Sequence, residues 1–296
     1  MSHTFDGKVD IYAQGFKFAE GPAFDTDGYL YVTDGQSGAL WRVPPGGGKP
    51  EVFARPAGPN GSAFHWNGDC YVTDPRGGRI ARVTPDGQVY TVCDTYNGEP
   101  IGRPNDLTFH PSGALYFSSP VGPHDRPDCP PRPVFRIGAD GVVSVAVDGI
   151  LYPNGVNVSA TGKALYIAES HSGNVFVTGL RPDGSADKPT VLANVREGQP
   201  GPWAPDGMCL DAEGNLYAAC FKGGRVRRIR PNGEIDLDIV VEGPNTTNCC
   251  FGGRDNDELF ITEGSLGRVY RVKIGIPGLA LFGPMGVHKR PPTSQP

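Results

Sequence analysis

Six polar residues recur at one position of a repeated phrase: Glu20, Asn60, Asn105, Asn154, Asp206 and Thr247. Acids stand only at the first and fifth of these positions, and amides or a hydroxyl at the others. If the repeats close into a ring, each of these residues starts an innermost strand and their side chains converge on one axis. Carboxylates and amides crowded at one point repel or go unsatisfied unless something cationic joins them. A hard divalent cation meets that need, because oxygen donors suit Ca²⁺, Mg²⁺ or Mn²⁺ and two carboxylates neutralise its charge. The same position has a plainer use, since a polar residue at a strand start can cap it or stitch neighbouring units. Stitching alone would favour similar residues in all six copies, and the types differ.

The elements that position these residues follow from the repeat. Its copies are EGPAFDTDGYLYVTD from Glu20, NGSAFHWNGDCYVTD from Asn60, NDLTFHPSGALYFSS from Asn105, NGVNVSATGKALYIAES from Asn154, DGMCLDAEGNLYAAC from Asp206 and TNCCFGGRDNDELFITE from Thr247. Their starts are separated by 40, 45, 49, 52 and 41 residues, and an aromatic recurs in register as Tyr31, Tyr71, Tyr116, Tyr166, Tyr217 and Phe260. Third strands follow (GALWRV, GRIARV, PVFRI, GNVFVTGL, GRVRRI, GRVYRV), then turns such as Thr-Pro-Asp-Gly and Arg-Pro-Asn-Gly, then a fourth strand. Four short strands per ~45 residues, six times over, predict an all-β, six-bladed β-propeller with four antiparallel strands per blade. The sixth copy lacks a clear fourth strand, so residues 8–13 are expected to supply it and close the ring, removing an exposed sheet edge. Residues 1–296 then form one domain, with a loose Pro-rich tail over 288–296. The second-to-third loops and the blade-to-blade connections vary most in length, above all 119–133 and 196–205, which assigns the active face to their side.

The motifs E-G-P at 20–22, R-P-N-D-L at 103–107, P-N-G-V at 153–156 and P-D-G-M at 205–208, in this order, resemble those of the senescence-marker-protein (regucalcin)/gluconolactonase family of propeller hydrolases. The resemblance runs from AEGPAF at 19–24 to TTNCCFGG at 246–253. It implies one divalent cation (Ca, Mg, Mn, Zn or Fe(II)) on Glu20, Asn154 and Asp206, with Arg103 and Asn105 contacting substrate and Asn60 a less secure lining residue. It also implies opening of a small lactone, foremost a sugar lactone of the gluconolactonase type. A phosphotriester or aryl-ester hydrolase on the same site, or a cation-binding propeller without turnover, are the alternatives. In lactone opening the cation would act as a Lewis acid on the carbonyl oxygen. Asp206 is then both a ligand and the candidate general base, with loop residues His124 and His171 as other proton carriers.

Composition narrows the field. The 296 residues include 43 Gly and 30 Pro, about twice the usual share of roughly 12%, spaced as turn punctuation. A net charge of −5 argues against a nucleic-acid surface, and the cluster Arg225, Arg227, Arg228 and Arg230 reads as a solvated strand. No apolar run approaches the ~18 residues of a membrane span, and the start lacks a basic-then-apolar leader pattern. Seven cysteines without a C-x-x-C spacing read as buried thiols of a cytoplasmic protein. There is no Gly-x-Ser-x-Gly elbow, no His-Glu-x-x-His and no nucleotide fingerprint, so serine-hydrolase, zincin and nucleotide-cofactor readings have no local support; a small-molecule lactone is the partner that the resemblance implies.

Overall fold

Alternating apolar runs closed off by Gly- and Pro-rich turns fold the chain into strands alone. The computed structural model describes residues 2–126, 128–198 and 202–279, with no helix among them. Six antiparallel sheets succeed one another around a central axis. Their innermost strands are Glu20–Phe24, Ser62–Phe64, Leu107–Phe109, Pro153–Val158, Ala204–Leu210 and Thr246–Gly252. Blade six takes its outer strand from the other end of the chain: Val9–Gln14 pairs antiparallel with Arg268–Lys273. Blade five gains a fifth strand, His3–Thr4, parallel to Ile235–Val240, which the repeat did not foretell. The tail over 288–296 lies outside the described residues.

The buried apolar side chains fall into six clusters, and each lies between two neighbouring blades. The recurring aromatic explains this. Tyr31 of blade one meets Phe64 of blade two edge-to-face at 4.8 Å, and Tyr71 meets Phe109 of blade three at 5.1 Å. Tyr217 meets Phe251 of blade six at 5.1 Å, and Phe260 meets Phe24 of blade one at 4.7 Å. Each pair is worth about 0.5–1.5 kcal/mol beyond the area it buries. The periodic aromatic is therefore the mortar between blades.

Hydroxyl groups stitch the blades near the recurring polar residues. Thr73 Oγ1 donates to Asn105 O at 2.6 Å, Ser170 Oγ to Pro205 O at 2.8 Å, and Thr247 Oγ1 to Ala19 O at 2.8 Å; Thr33 Oγ1 makes the equivalent bond to Asn60 O. Each satisfies a main-chain carbonyl of the next blade, in or just before its innermost strand.

The arginine cluster departs from the sequence reading. Arg225 and Arg227 share one face and Arg228 and Arg230 the other, as period-2 spacing requires, but the strand is not solvated. Arg227 is 2% exposed, with its Nε donating to Asp238 Oδ1 at 2.8 Å, and Arg228 forms a two-pronged pair with Asp236 at 2.9 Å. The acids come from the adjacent strand Ile235–Val240: Asp238 stands opposite Arg227 in the ladder, and a register shift beside Arg228 lets Asp236 serve the other face.

Candidate functional site at the channel mouth

The innermost strands are irregular where the polar residues sit. Register shifts fall between Glu20 and Ala23, Pro153 and Val156, Pro205 and Met208, and Thr246 and Asn248. Such bulges re-aim side chains, here away from the blade faces. They rely on glycine because neighbouring strands crowd together. A Cβ on Gly155 would lie 2.3 Å from Asp206 O, and one on Gly207 would lie 1.9 Å from Asn248 Cγ.

Glu20, Asn154 and Asp206 are all buried, at 4%, 6% and 8% exposure. Ser170 fixes the orientation of Asn154. The one hydroxyl proton of Ser170 goes to Pro205 O at 2.8 Å, so its oxygen can only accept from Asn154 Nδ2, at 3.1 Å. Asn154 Oδ1 is consequently left buried without a partner among the described residues. An orphaned buried carbonyl oxygen is costly and calls for a cationic or hydrogen-donating guest.

The carboxylates nearby show the same want. Burial pushes Glu20 up to about 8, aided by the charge of Asp106, against the opposing bonds from Gly21 N–H and Asn248. Burial likewise raises Asp106 to about 7, and raises Asp206 well above the usual carboxylate range with help from Glu20 and Asp106. None of the three enters an ion pair among the described residues. No three or more His, Cys, Asp or Glu residues among those described cluster closely enough to hold a metal by themselves. A cation here would need an amide oxygen beside the carboxylates, and Asn154 Oδ1 is free to be that donor. The donor chemistry of Glu20, Asn154 and Asp206 thus fits a hard divalent ion.

The other sequence candidates divide. Thr247 Oγ1 is engaged with Ala19 O and, at 2.8 Å, with Thr262 Oγ1, so it stitches blades six and one. The main chain of Asn60 does similar work, its carbonyl accepting from Thr33 Oγ1 of blade one while its N–H donates to Thr73 O within blade two at 2.9 Å. Asn105 is half-buried; its main chain is bound by Ser118, Gly61 and Thr73, and its amide has no protein partner among the described residues. Arg103 is exposed, and its charge acts on the phenol of Tyr152. His171 Nδ1 lies 2.9 Å from His124 O and so secures the blade-three loop. His124 is held below the ordinary imidazole range by burial, and its Nε2 is buried without a partner among the described residues. Within that loop Pro127 lies outside the described residues, as do 199–201 of the 196–205 connection.

Sequence reasoning missed Ser170, Asp106, Asn248 and Tyr152. Asp106 and Asn248 follow Asn105 and Thr247, where the blade-one, -two, -four and -five copies have glycine. They occupy space that glycine leaves: Asp106 Oδ1 lies 2.6 Å from where a Gly61 Cβ would be. The break in the glycine pattern was the available signal for this pair. Ser170 and Tyr152 carried none.

Comparison with known proteins bears on the family and the fold. The family model described as SMP-30/Gluconolactonase/LRE-like region matches residues 18–265. A gluconolactonase of Zymomonas mobilis is 34% identical over 186 residues, 58% of this chain and 51% of the relative. A regucalcin of Danio rerio is 31% identical over 180 residues, 60% of this chain and 59% of the relative. The matches therefore span half to three fifths of those relatives. Among solved structures, a gluconolactonase from Xanthomonas campestris superposes with TM-score 0.78 at 23% identity, over 92% of this chain and 90% of that one. A calcium-binding protein, regucalcin, from Agrobacterium tumefaciens superposes with TM-score 0.78 at 21% identity, over 94% of this chain and 97% of that one. At such identity these two likenesses speak for the fold.

Proposed function

The chain belongs to the SMP-30/gluconolactonase/LRE-like family, and on that premise we propose that it hydrolyses a small lactone, foremost a sugar lactone, with one divalent cation held by Glu20, Asn154 and Asp206. The observation that carries this reading is the orphaned Oδ1 of Asn154 beside buried carboxylates that lack a cationic partner. Ca²⁺ is the first candidate among Ca, Mg, Mn, Zn and Fe(II), since every proposed donor is an oxygen. When bound, such an ion supplies a Lewis acid that stabilises the charge gained by the lactone carbonyl oxygen as water adds.

The chain's own residues would do the rest. Asp206 has a second carboxylate oxygen with which to take the proton of the attacking water. The guanidinium of Arg103 presents a fixed fork of donors for substrate oxygens, and Asn105 offers both a donor and an acceptor. Ser170 keeps the Asn154 oxygen turned to the site. The seven unpaired cysteines suit a reducing, cytoplasmic setting.

The test is acid release from a panel of lactones, aryl esters and phosphotriesters, before and after chelation. Lactone turnover that disappears with chelator and returns with added cation is expected. Glu20→Gln and Asp206→Asn should each lower kcat/KM at least 100-fold while circular dichroism stays unchanged. Turnover that survives complete chelation, or near-normal rates in both variants, would overturn the assignment.

A further inference from the structure

Blade four passes from its second strand, Ala164–Glu169, to its third, Asn174–Gly179, through a turn over 170–173. The carbonyls of Ser170, His171 and Ser172 in that turn are all met by one side chain. Arg196 Nη2 donates to Ser170 O at 3.3 Å and to His171 O at 3.0 Å, and its Nη1 donates to Ser172 O at 3.0 Å. Its Nε reaches the other way, to Trp203 O at 2.6 Å. Trp203 is the last residue before the innermost strand of blade five, Ala204–Leu210. Four main-chain oxygens from two segments thus converge on one guanidinium. Arg196 enters no ion pair among the described residues, so these carbonyl dipoles are its partners.

The arginine has a built seat. Gly173 has a φ of +85°, and a Cβ there would lie 2.8 Å from Arg196 Cδ and Nε, so glycine makes the room the side chain needs. Arg227 Nη1 donates to Val195 O and Glu197 O, both at 2.9 Å, and so fixes the main chain on either side of Arg196. At the other end the Arg225 guanidinium stands 4.4 Å from the centroid of the Trp203 ring.

The two segments that Arg196 joins are those on which the candidate cation site depends. Ser170 orients Asn154, since its Oγ donates to Pro205 O at 2.8 Å and accepts from Asn154 Nδ2 at 3.1 Å. Trp203 lies three residues before Asp206. The guanidinium and the serine hydroxyl are therefore parallel ties between the same two stretches of chain. Without the guanidinium, four carbonyls lose a charged donor, and the turn is free to shift. A shift takes Ser170 Oγ away from Pro205 O or from Asn154, and the amide is then free to rotate. A lysine would put one compact charge where a flat fork with donors on two edges is required.

We propose that Arg196 is a positioning residue for the cation site. It holds the 170–172 turn to Trp203, keeps Ser170 between Pro205 O and Asn154, and so keeps Asn154 Oδ1 turned to the cation beside Asp206. It acts through Ser170 and the main chain of Trp203 rather than by touching cation or substrate. This deepens the reading of Glu20, Asn154 and Asp206 as the ligands and rests on it.

The experiment is calorimetric titration of Ca²⁺ into chelator-treated full-length protein, with Mg²⁺ or Mn²⁺ in its place should Ca²⁺ not bind, and melting curves on the same samples. Arg196→Gln removes the fork and should raise the Kd at least tenfold. Arg196→Lys should raise it as well, because one ammonium cannot serve both segments. Tyr116→Phe is the stability control. It removes the hydroxyl bond from Tyr116 to Gly184 O, 3.0 Å long, at the seam of blades three and four, and should lower Tm while the Kd stays within about twofold of wild type. A merely structural arginine would behave like that control, so a wild-type Kd in folded Arg196→Gln overturns the proposal. A tenfold loss in Tyr116→Phe also overturns it, because destabilisation alone would then explain the effect. If Arg196→Gln does not fold, the Kd of Arg196→Lys decides in the same way. If the wild-type protein binds none of the three ions, the cation reading fails separately, and a crystal structure of Arg196→Lys decides the positioning role. Retention of both Ser170 Oγ hydrogen bonds overturns that role, and loss of either upholds it.

Discussion

Ser170 shows how one small side chain can decide the chemistry of a larger one. Its hydroxyl hydrogen is committed to Pro205 O, so Asn154 must present Nδ2 to it and turn Oδ1 elsewhere. Ser170→Ala removes that constraint and leaves Pro205 O unpaired. We expect a stability loss of about 1–3 kcal/mol in denaturant melts, together with a cation affinity roughly 10–100-fold weaker by isothermal titration. The buried carboxylates give a second residue-scale prediction. In the chelated protein Glu20, Asp106 and Asp206 hold protons well above the range in which the unfolded chain releases them. Their contribution to stability is complete below that ordinary range and is lost as pH rises through the folded values, about 7 for Asp106 and about 8 for Glu20. The melting temperature of chelated protein should therefore fall between about pH 5 and pH 8.5. Added Ca²⁺ should flatten that slope and raise the curve by linkage; a slope of opposite sign in differential scanning calorimetry would contradict the burial argument.

At the scale of elements, the third strand of blade five is the most instructive. Arg225–Ile229 holds its charges in ion pairs because Asp238 meets Arg225 and Arg227 on one face and, past a register shift beside Arg228, Asp236 meets Arg228 on the other. Arg227 also donates to Val195 O and Glu197 O at 2.9 Å, so the pair clamps the connection that leaves blade four. Asp238→Asn leaves a buried guanidinium without its counter-charge. The expected cost is about 3–5 kcal/mol by equilibrium unfolding, against near zero for a solvated strand. The strand's alternation was legible in the chain as Arg-Val-Arg-Arg-Ile, but its burial was not, because pairing with Asp-Leu-Asp depends on which strand lies next to it. The bulged innermost strands make the same point. E-G-P, P-N-G-V and P-D-G-M announce special backbone, yet which neighbour presses on each glycine is a matter of blade packing.

For the whole molecule, closure is what turns six sheets into one site. Val9–Gln14 completes blade six, and Tyr12 packs edge-to-face on Phe260 at 4.9 Å. Removing residues 1–14 would expose the Arg268–Lys273 edge and free Tyr12, Ala13 and their partners. A loss of about 3–5 kcal/mol from buried side chains and ladder bonds is expected, lowering Tm on the order of 10 °C and producing aggregates on size exclusion. A truncated protein that melts like the full chain would show that the ring closes without this strand. The sequence alone determined the blade count, the aromatic register, the closing strand and the polar residues that lie at or within two residues of the start of each innermost strand. All of these are periodic, and periodicity survives in one dimension. Only the tertiary structure decided that Thr247 stitches while Asn154 is left with an orphaned oxygen, that Asp106 and Asn248 occupy the space left by glycines, and that a loop of blade three brings His124 to Tyr152 and Phe221. Those outcomes depend on which groups from distant repeats reach one another first, because each hydrogen-bonding atom can be used only a limited number of times.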